Sequence, residues 1–88
     1  MSEPIHIQVQ LLEFLRREVF SPQTAVTEDT DLIASGFDSF SLVRLLLFIE
    51  ETYGLWIPER EITETTFKST RALAVVVVRL LDERQTQS

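Results

Sequence analysis

The stretch Gly36-Phe37-Asp38-Ser39-Phe40, with the apolar run SLVRLLLFIEETY that follows from Ser41 to Tyr53, decides how this chain folds. Gly36 breaks whatever helix precedes it. Asp38 can then cap a new one, because its carboxylate accepts the orphan N–H groups of a first turn. Ser39 falls at or just inside that helix N-terminus, with its hydroxyl near the positive end of the macrodipole. Backbone donors and dipole both stabilise an anion there, which favours a phosphate ester.

Placed at about 100° steps, Leu42, Leu45, Leu46, Ile49 and Tyr53 fall on one stripe, the pattern of a core-facing side. Phe40, Val43 and Leu47 form a second apolar patch well away from it, with Arg44 and Glu51 beside them. Two readings stand. The small fold buries this helix on most sides, or leaves a few apolar residues exposed without consequence. Alternatively, the patch docks a partner next to Ser39. The run is too short, and too interrupted by Arg44, Glu50 and Glu51, to span a bilayer.

Asp38-Ser39-Phe40 after Gly36-Phe37, the Leu-rich helix, Glu50-Glu51 with Tyr53-Gly54, and then Ile57-Pro58 resemble the acyl carrier protein family. That family's pattern is Gly-x-Asp-Ser-Leu, a helix ending Glu-Glu-x-Phe-Gly, then Ile-Pro. The resemblance covers about Thr30 to Leu81. An Asp-Ser pair alone is weak evidence; the ordered set at matching spacings is strong. The resemblance implies that Ser39 carries a 4′-phosphopantetheine arm, transferred from coenzyme A by a separate holo-carrier-protein synthase. Asp38 would fix the helix start and assist recognition by that enzyme. The terminal thiol would hold an acyl or aminoacyl group as a thioester, loaded by an acyl- or aminoacyl-loading ligase and passed to downstream acyl-transfer enzymes. The chemistry would belong to the cofactor and the partner enzymes, with attachment and recognition left to the protein. Phe40 stands where the family has Leu. Ser41 and Arg44 stand where fatty-acid-synthesis carriers have acidic residues, so this helix is less acidic than that subfamily's docking helix. Stand-alone carriers for dedicated pathways, including aminoacyl and D-alanyl carriers, vary more at these positions.

Eighty-eight residues make one domain, 1–88, with an ordered core expected over about 5–83. A core of this size is modest, so the fold should be simple. With no Cys there is no disulfide framework and no Cys-based metal site. The acidic start, Met1-Ser2-Glu3-Pro4, lacks the basic region of a signal peptide, and a cytoplasmic monomer is expected. The net charge of −6 is uneven: nine acids and two bases lie between Glu28 and Glu64. This is either a solvated surface that keeps the domain soluble or a field that steers basic partner surfaces to it. No basic patch with interleaved aromatics appears, which disfavours nucleic acid.

Pro4 suits the first turn of a helix. From Ile5 to about Phe20, apolar residues at Ile5, Val9, Leu12, Leu15 and Val19 predict an amphipathic helix, widened by Leu11 and Phe14 and ended by Ser21-Pro22. The polar connection to Asp38 is long, which is usually functional. Val26, Leu32, Ile33 and Phe37 should pin it to the core, with a helical turn at Asp31-Leu32-Ile33, so that it delivers Ser39 to the tip of the bundle. Gly54 fits a left-handed helix terminus. Trp56 is expected to be partly buried at the end of the central helix. A short helix is expected near Thr63–Phe67. Ser69 or Thr70 can cap a last helix over about Thr70–Glu83, although the β-branched run Val75–Val78 favours a strand. Gln85 to Ser88 should fray.

Other chemistry fits poorly. A serine hydrolase would need Gly-x-Ser-x-Gly; Gly36 lies three residues before Ser39, and Ser41 occupies the second Gly position. A triad also needs a positioned base, and the only His, His6, reads as solvent-facing. Asp29-x-Asp31 starts like a calcium loop, but Ala34 and Phe40 fall where Gly and Glu are required. The fold expected is therefore all-α: a small four-helix bundle, three main helices plus one short one, with a long first loop. The function expected is a non-enzymatic carrier using Ser39, with Phe40, Val43, Arg44 and Leu47 as the docking surface. The alternative is an unmodified helical interaction module that uses the Phe40/Val43/Leu47 patch.

Overall fold

The computed structural model describes residues 4–86. Among them, helix α1 spans Pro4–Phe14 and continues as a π-helical stretch over Leu15–Val19. Helix α2 spans Ser39–Tyr53, a 3₁₀ turn covers Glu59–Glu61, and helix α3 spans Thr70–Thr86. This is the all-α bundle of three main helices with a short helical element and a long first loop. The short helix expected near Thr63–Phe67 does not form: those residues make a single hydrogen-bonded turn, closed by the Phe67 N–H on the Thr63 carbonyl at 3.1 Å, and the short helical element is the 3₁₀ turn before it.

α1 buries most of the expected stripe, Leu12 and Leu15 with Leu11 and Phe14 beside them, but not its first two members. Ile7, Leu11, Phe14 and Leu15 are buried, whereas Ile5 and Val9 are exposed. Near the start of α1 both Ile5–Val9 and Ile7–Leu11 have helical spacing and lead on to buried Leu12, Phe14 and Leu15; in the bundle it is Ile7 and Leu11 that face the core. The helix then widens. The Phe20 N–H reaches the Leu15 carbonyl at 2.9 Å, five residues back, so that Leu15 and Phe20 both enter the core while Arg16, Arg17 and Glu18 stay outside.

The long loop is held by defined contacts. Val26 and Leu32 are buried, and Phe37 stacks on Phe67 with ring centroids 5.9 Å apart. Ile33, expected to pin the loop, is instead 45% exposed. The Leu32 N–H donates to the Lys68 carbonyl at 2.9 Å and the Arg71 N–H to the Glu28 carbonyl at 2.9 Å. The Arg71 guanidinium grips both Asp29 oxygens, at 2.7 and 3.0 Å, and this holds the Asp29 carboxyl below its usual range. The expected turn after Asp31 forms, capped by the Ala34 N–H on Asp31 Oδ1 at 3.1 Å. It ends in a Schellman motif: Phe37 N–H to Leu32 carbonyl and Gly36 N–H to Ile33 carbonyl, with Gly36 at φ +107°.

α2 buries Leu45, Leu46 and Ile49 and half-buries Leu42 and Tyr53, the expected stripe. Its Phe48 stacks on Phe14 of α1 at 4.3 Å between centroids. Each fully buried aliphatic side chain here contributes about 1.5–3 kcal/mol of transfer free energy. At its end Gly54 adopts φ +65° and donates to the Glu50 carbonyl at 2.9 Å, and Arg84 of α3 donates to the free carbonyls of Tyr53 and Gly54. In the extended segment beyond, alternation sends Leu55 and Ile57 into the core and Trp56 outward. Trp56 is 59% exposed, contrary to the expectation of partial burial at the helix end.

α3 is a helix despite its valines because Leu73, Ala74, Val77, Leu80 and Leu81 form a buried face against α1 that no strand would reproduce. Ser69 is its cap, accepting from the Ala72 N–H at 3.1 Å, while the Thr70 hydroxyl is buried without a partner. The helix continues through Gln85 and Thr86, where fraying was expected; Gln87 and Ser88 lie outside the described residues.

Tyr53 ties α2 to α1 by donating its hydroxyl to Gln10 Oε1 at 2.7 Å, and partial burial raises its pKa to about 12. Because the folded value lies above the unfolded value near 10, its contribution to stability is complete below pH 10 and is lost as the pH rises through 12. It is the only tyrosine, so the phenolate absorbance should titrate near pH 12 in the native protein and near pH 10 in urea. Coincident native and denatured curves would show that the phenol is not desolvated by α1.

Candidate functional site

The site is built where the loop ends and α2 begins. Gly36 terminates one turn, Phe37 anchors on Phe67, and Asp38 takes extended backbone angles as the N-cap of α2. Asp38 Oδ1 accepts the Ser41 N–H at 2.8 Å and the Ser41 hydroxyl at 2.9 Å. These two bonds, the backbone one foremost, hold the Asp38 carboxyl below its usual range. The cap is thus intact above the ordinary carboxylate pKa and fails as the pH falls through the lowered one.

Ser39 is the first residue of α2 and is exposed. Its hydroxyl makes no hydrogen bond to any other described residue, whereas the neighbouring carboxylate is turned into the helix cap. An accessible, unengaged hydroxyl at a helix N-terminus fits a phosphodiester, because its charge would sit where the first-turn N–H groups point. The same residue lines an apolar groove of about 300 Å³ walled by Phe37, Leu42, Ile62 and Phe67.

The patch beside it lies outside the core. Phe40 is 71%, Val43 54% and Leu47 49% exposed, on the α2 face opposite Ile49, so the reading in which the fold buries most sides of α2 is excluded. Arg44 runs along the patch with its guanidinium 6.0 Å from the Phe40 ring centroid. It is held there by Glu18 of the π-helical stretch, Nη2 to Oε1 at 3.2 Å, and Glu18 is also paired with Arg17. The sequence carried no local sign of Glu18, which stands 26 residues from Arg44. Nor did it mark Ile62 and Phe67 as neighbours of Ser39. His6 is exposed, as expected. Among the described residues no helix is long and apolar enough to cross a membrane.

Residues 9–75 match the family described as phosphopantetheine attachment site. An aminoacyl carrier protein of Agrobacterium fabrum is 31% identical over 65 residues, which cover 74% of this chain and 78% of that protein. A solved chain from the complex of a Bradyrhizobium japonicum glycine:[carrier protein] ligase with glycylated carrier protein is 26% identical. It superposes with a TM-score of 0.63 over 83% of this chain and 96% of the other. The family's cofactor is 4′-phosphopantetheine, and its members hold the group on which other enzymes act rather than catalyse. Since the match runs over most of the chain, from the second half of α1 through the capped start and the whole of α2 to the first turns of α3, this protein belongs to the phosphopantetheine-dependent carrier proteins.

Proposed function

We propose that Ser39 is the attachment residue and that the protein is an aminoacyl carrier. The observation behind the attachment residue is its free hydroxyl, exposed on the first residue of an Asp38-capped helix. Ser39 Oγ attacks the phosphorus of coenzyme A nearer the pantetheine, in the active site of a holo-carrier-protein synthase. It gives up its proton and forms a new P–O bond; the pyrophosphate P–O bond breaks and adenosine 3′,5′-bisphosphate leaves. The arm's thiol supplies the thioester that carries the cargo. Asp38 contributes by keeping α2 wound up to Ser39, so the hydroxyl is presented in one geometry.

The aminoacyl reading rests on the two relatives, one named for an aminoacyl cargo and one found with a glycine ligase. A ligase of that kind is the proposed loading partner, and Phe40, Val43, Arg44 and Leu47 are its proposed docking surface. Downstream acyl-transfer enzymes would use the same surface in turn. A cytoplasmic location, where coenzyme A and aminoacyl ligases work, belongs to the same reading.

The test is intact-mass analysis after incubation with coenzyme A and a broad-specificity synthase. The wild type should gain one phosphopantetheine and Ser39→Ala none. A mass gain in the Ala variant would move the attachment elsewhere; no gain in the wild type would remove the carrier reading of this residue.

A further inference from the structure

The groove that Ser39 lines is not walled by apolar residues alone: Thr63 and Glu64 line it as well. Ile33 and Glu64, which line it, also line a neighbouring recess of about 300 Å³ together with Asp31, Thr65 and Lys68. Ile33 stands between the two and is 45% exposed, although its neighbour Leu32 is fully buried. One wall set is therefore apolar and begins at the attachment residue, and the other is polar and charged.

Glu64 and Lys68 are four residues apart, carry opposite charge and line the same recess, yet they do not pair with each other. Among the described residues every arginine side chain has a hydrogen bond or ion pair, and Lys68 is the cation without one. Glu64 likewise has no partner. Asp31 adds a second carboxylate, committed in part to the Ala34 N–H.

This pattern complements one cargo chemistry. The phosphopantetheine arm has an apolar segment next to its phosphate, where the geminal methyl groups lie, then amides, then the thioester. An α-aminoacyl thioester ends in an ammonium group beside a carbonyl oxygen. We propose that the aminoacyl end of the arm folds back along the groove from Ser39, with its ammonium group against Glu64 and its carbonyl oxygen toward Lys68. The geminal methyl groups cover Phe37, Leu42 and Ile33 on the way. A cargo ending in a carboxylate would meet Glu64 and Asp31 as like charges and is disfavoured there. The proposal rests on Ser39 as the attachment residue and gives the groove beside it a role in selecting cargo.

The test uses the full chain, modified at Ser39 with coenzyme A analogues that end in glycyl or in propionyl, both amide-linked to resist hydrolysis. The two groups have nearly the same shape and differ in charge. The glycyl form should shift the backbone amide resonances of Glu64, Thr65 and Lys68 relative to the propionyl form. It should also melt roughly 2–4 °C higher at low salt, the size expected of an exposed ion pair in a small domain. Glu64→Gln, on an exposed turn, should abolish both differences, and high salt should reduce them. Identical spectra and melting for the two cargoes overturn the proposal while attachment stands. Differences that survive in Glu64→Gln overturn it as well. If mass analysis finds no attachment at Ser39, the parent reading falls and this one with it, and the two failures are told apart by the mass.

Discussion

Ile49→Ala is expected to lower the unfolding free energy by about 2–5 kcal/mol, seen as a fall in melting temperature of about 10 °C or more by circular dichroism. Ile49 is fully buried on the inner face of α2, so truncation leaves a cavity as well as losing transfer free energy. A chain this short has a total stability of roughly 4–13 kcal/mol, which makes the loss a large fraction of the whole. Leu47, two residues earlier, is 49% exposed on the opposite face. Leu47→Ala should therefore stay within about 0.5 kcal/mol of the wild type. Equal losses at the two positions would mean that the faces of α2 are assigned wrongly, and the docking surface with them.

On the proposed docking surface, Val43→Asp is expected to reduce kcat/KM for loading by an aminoacyl ligase about 100-fold or more while leaving the melting temperature nearly unchanged. The side chain is 54% exposed between Phe40 and Leu47, so the free protein solvates the new carboxylate without difficulty. In the proposed docked state the same carboxylate would lose water at the centre of an apolar contact, a cost of a few kcal/mol. Each 1.4 kcal/mol is tenfold in affinity. Arg44 is the nearby charge able to offset that cost, and it is already engaged by Glu18 and set against Phe40. Mass spectrometry would still show phosphopantetheine on Ser39 in the variant if the synthase relies on Asp38 and the helix start rather than on this patch. Unimpaired loading of Val43→Asp would remove the α2 face from the interface.

Much of this fold was legible because its signals are local. The cap at Asp38, the breaks at Gly36 and Gly54, and the stripe Leu42–Leu45–Leu46–Ile49 each depend on residues within a turn or two of one another, and backbone chemistry alone interprets them. α1 shows where such reading stops. Its first two turns carry apolar residues on more than one side, and only contact with the rest of the bundle selects Ile7 over Ile5 and Val9. Trp56 misleads for a similar reason: size argues for burial, but alternation in an extended segment whose other residues fill the core sends it outward.

The sequence by itself determined that a hydroxyl would stand on the first turn of a capped helix, and that a second apolar patch would follow on that helix; that the patch faces outward was decided by the packing. The first two outcomes need only the geometry of one turn. Tertiary structure alone decided what surrounds the hydroxyl: the loop brought back by Arg71 and by the Lys68 carbonyl, Phe67 set under Phe37, and Glu18 placed on Arg44. Each of these joins residues far apart in the chain. No periodicity encodes such pairings, because they follow from how three helices of given length close on one shared core.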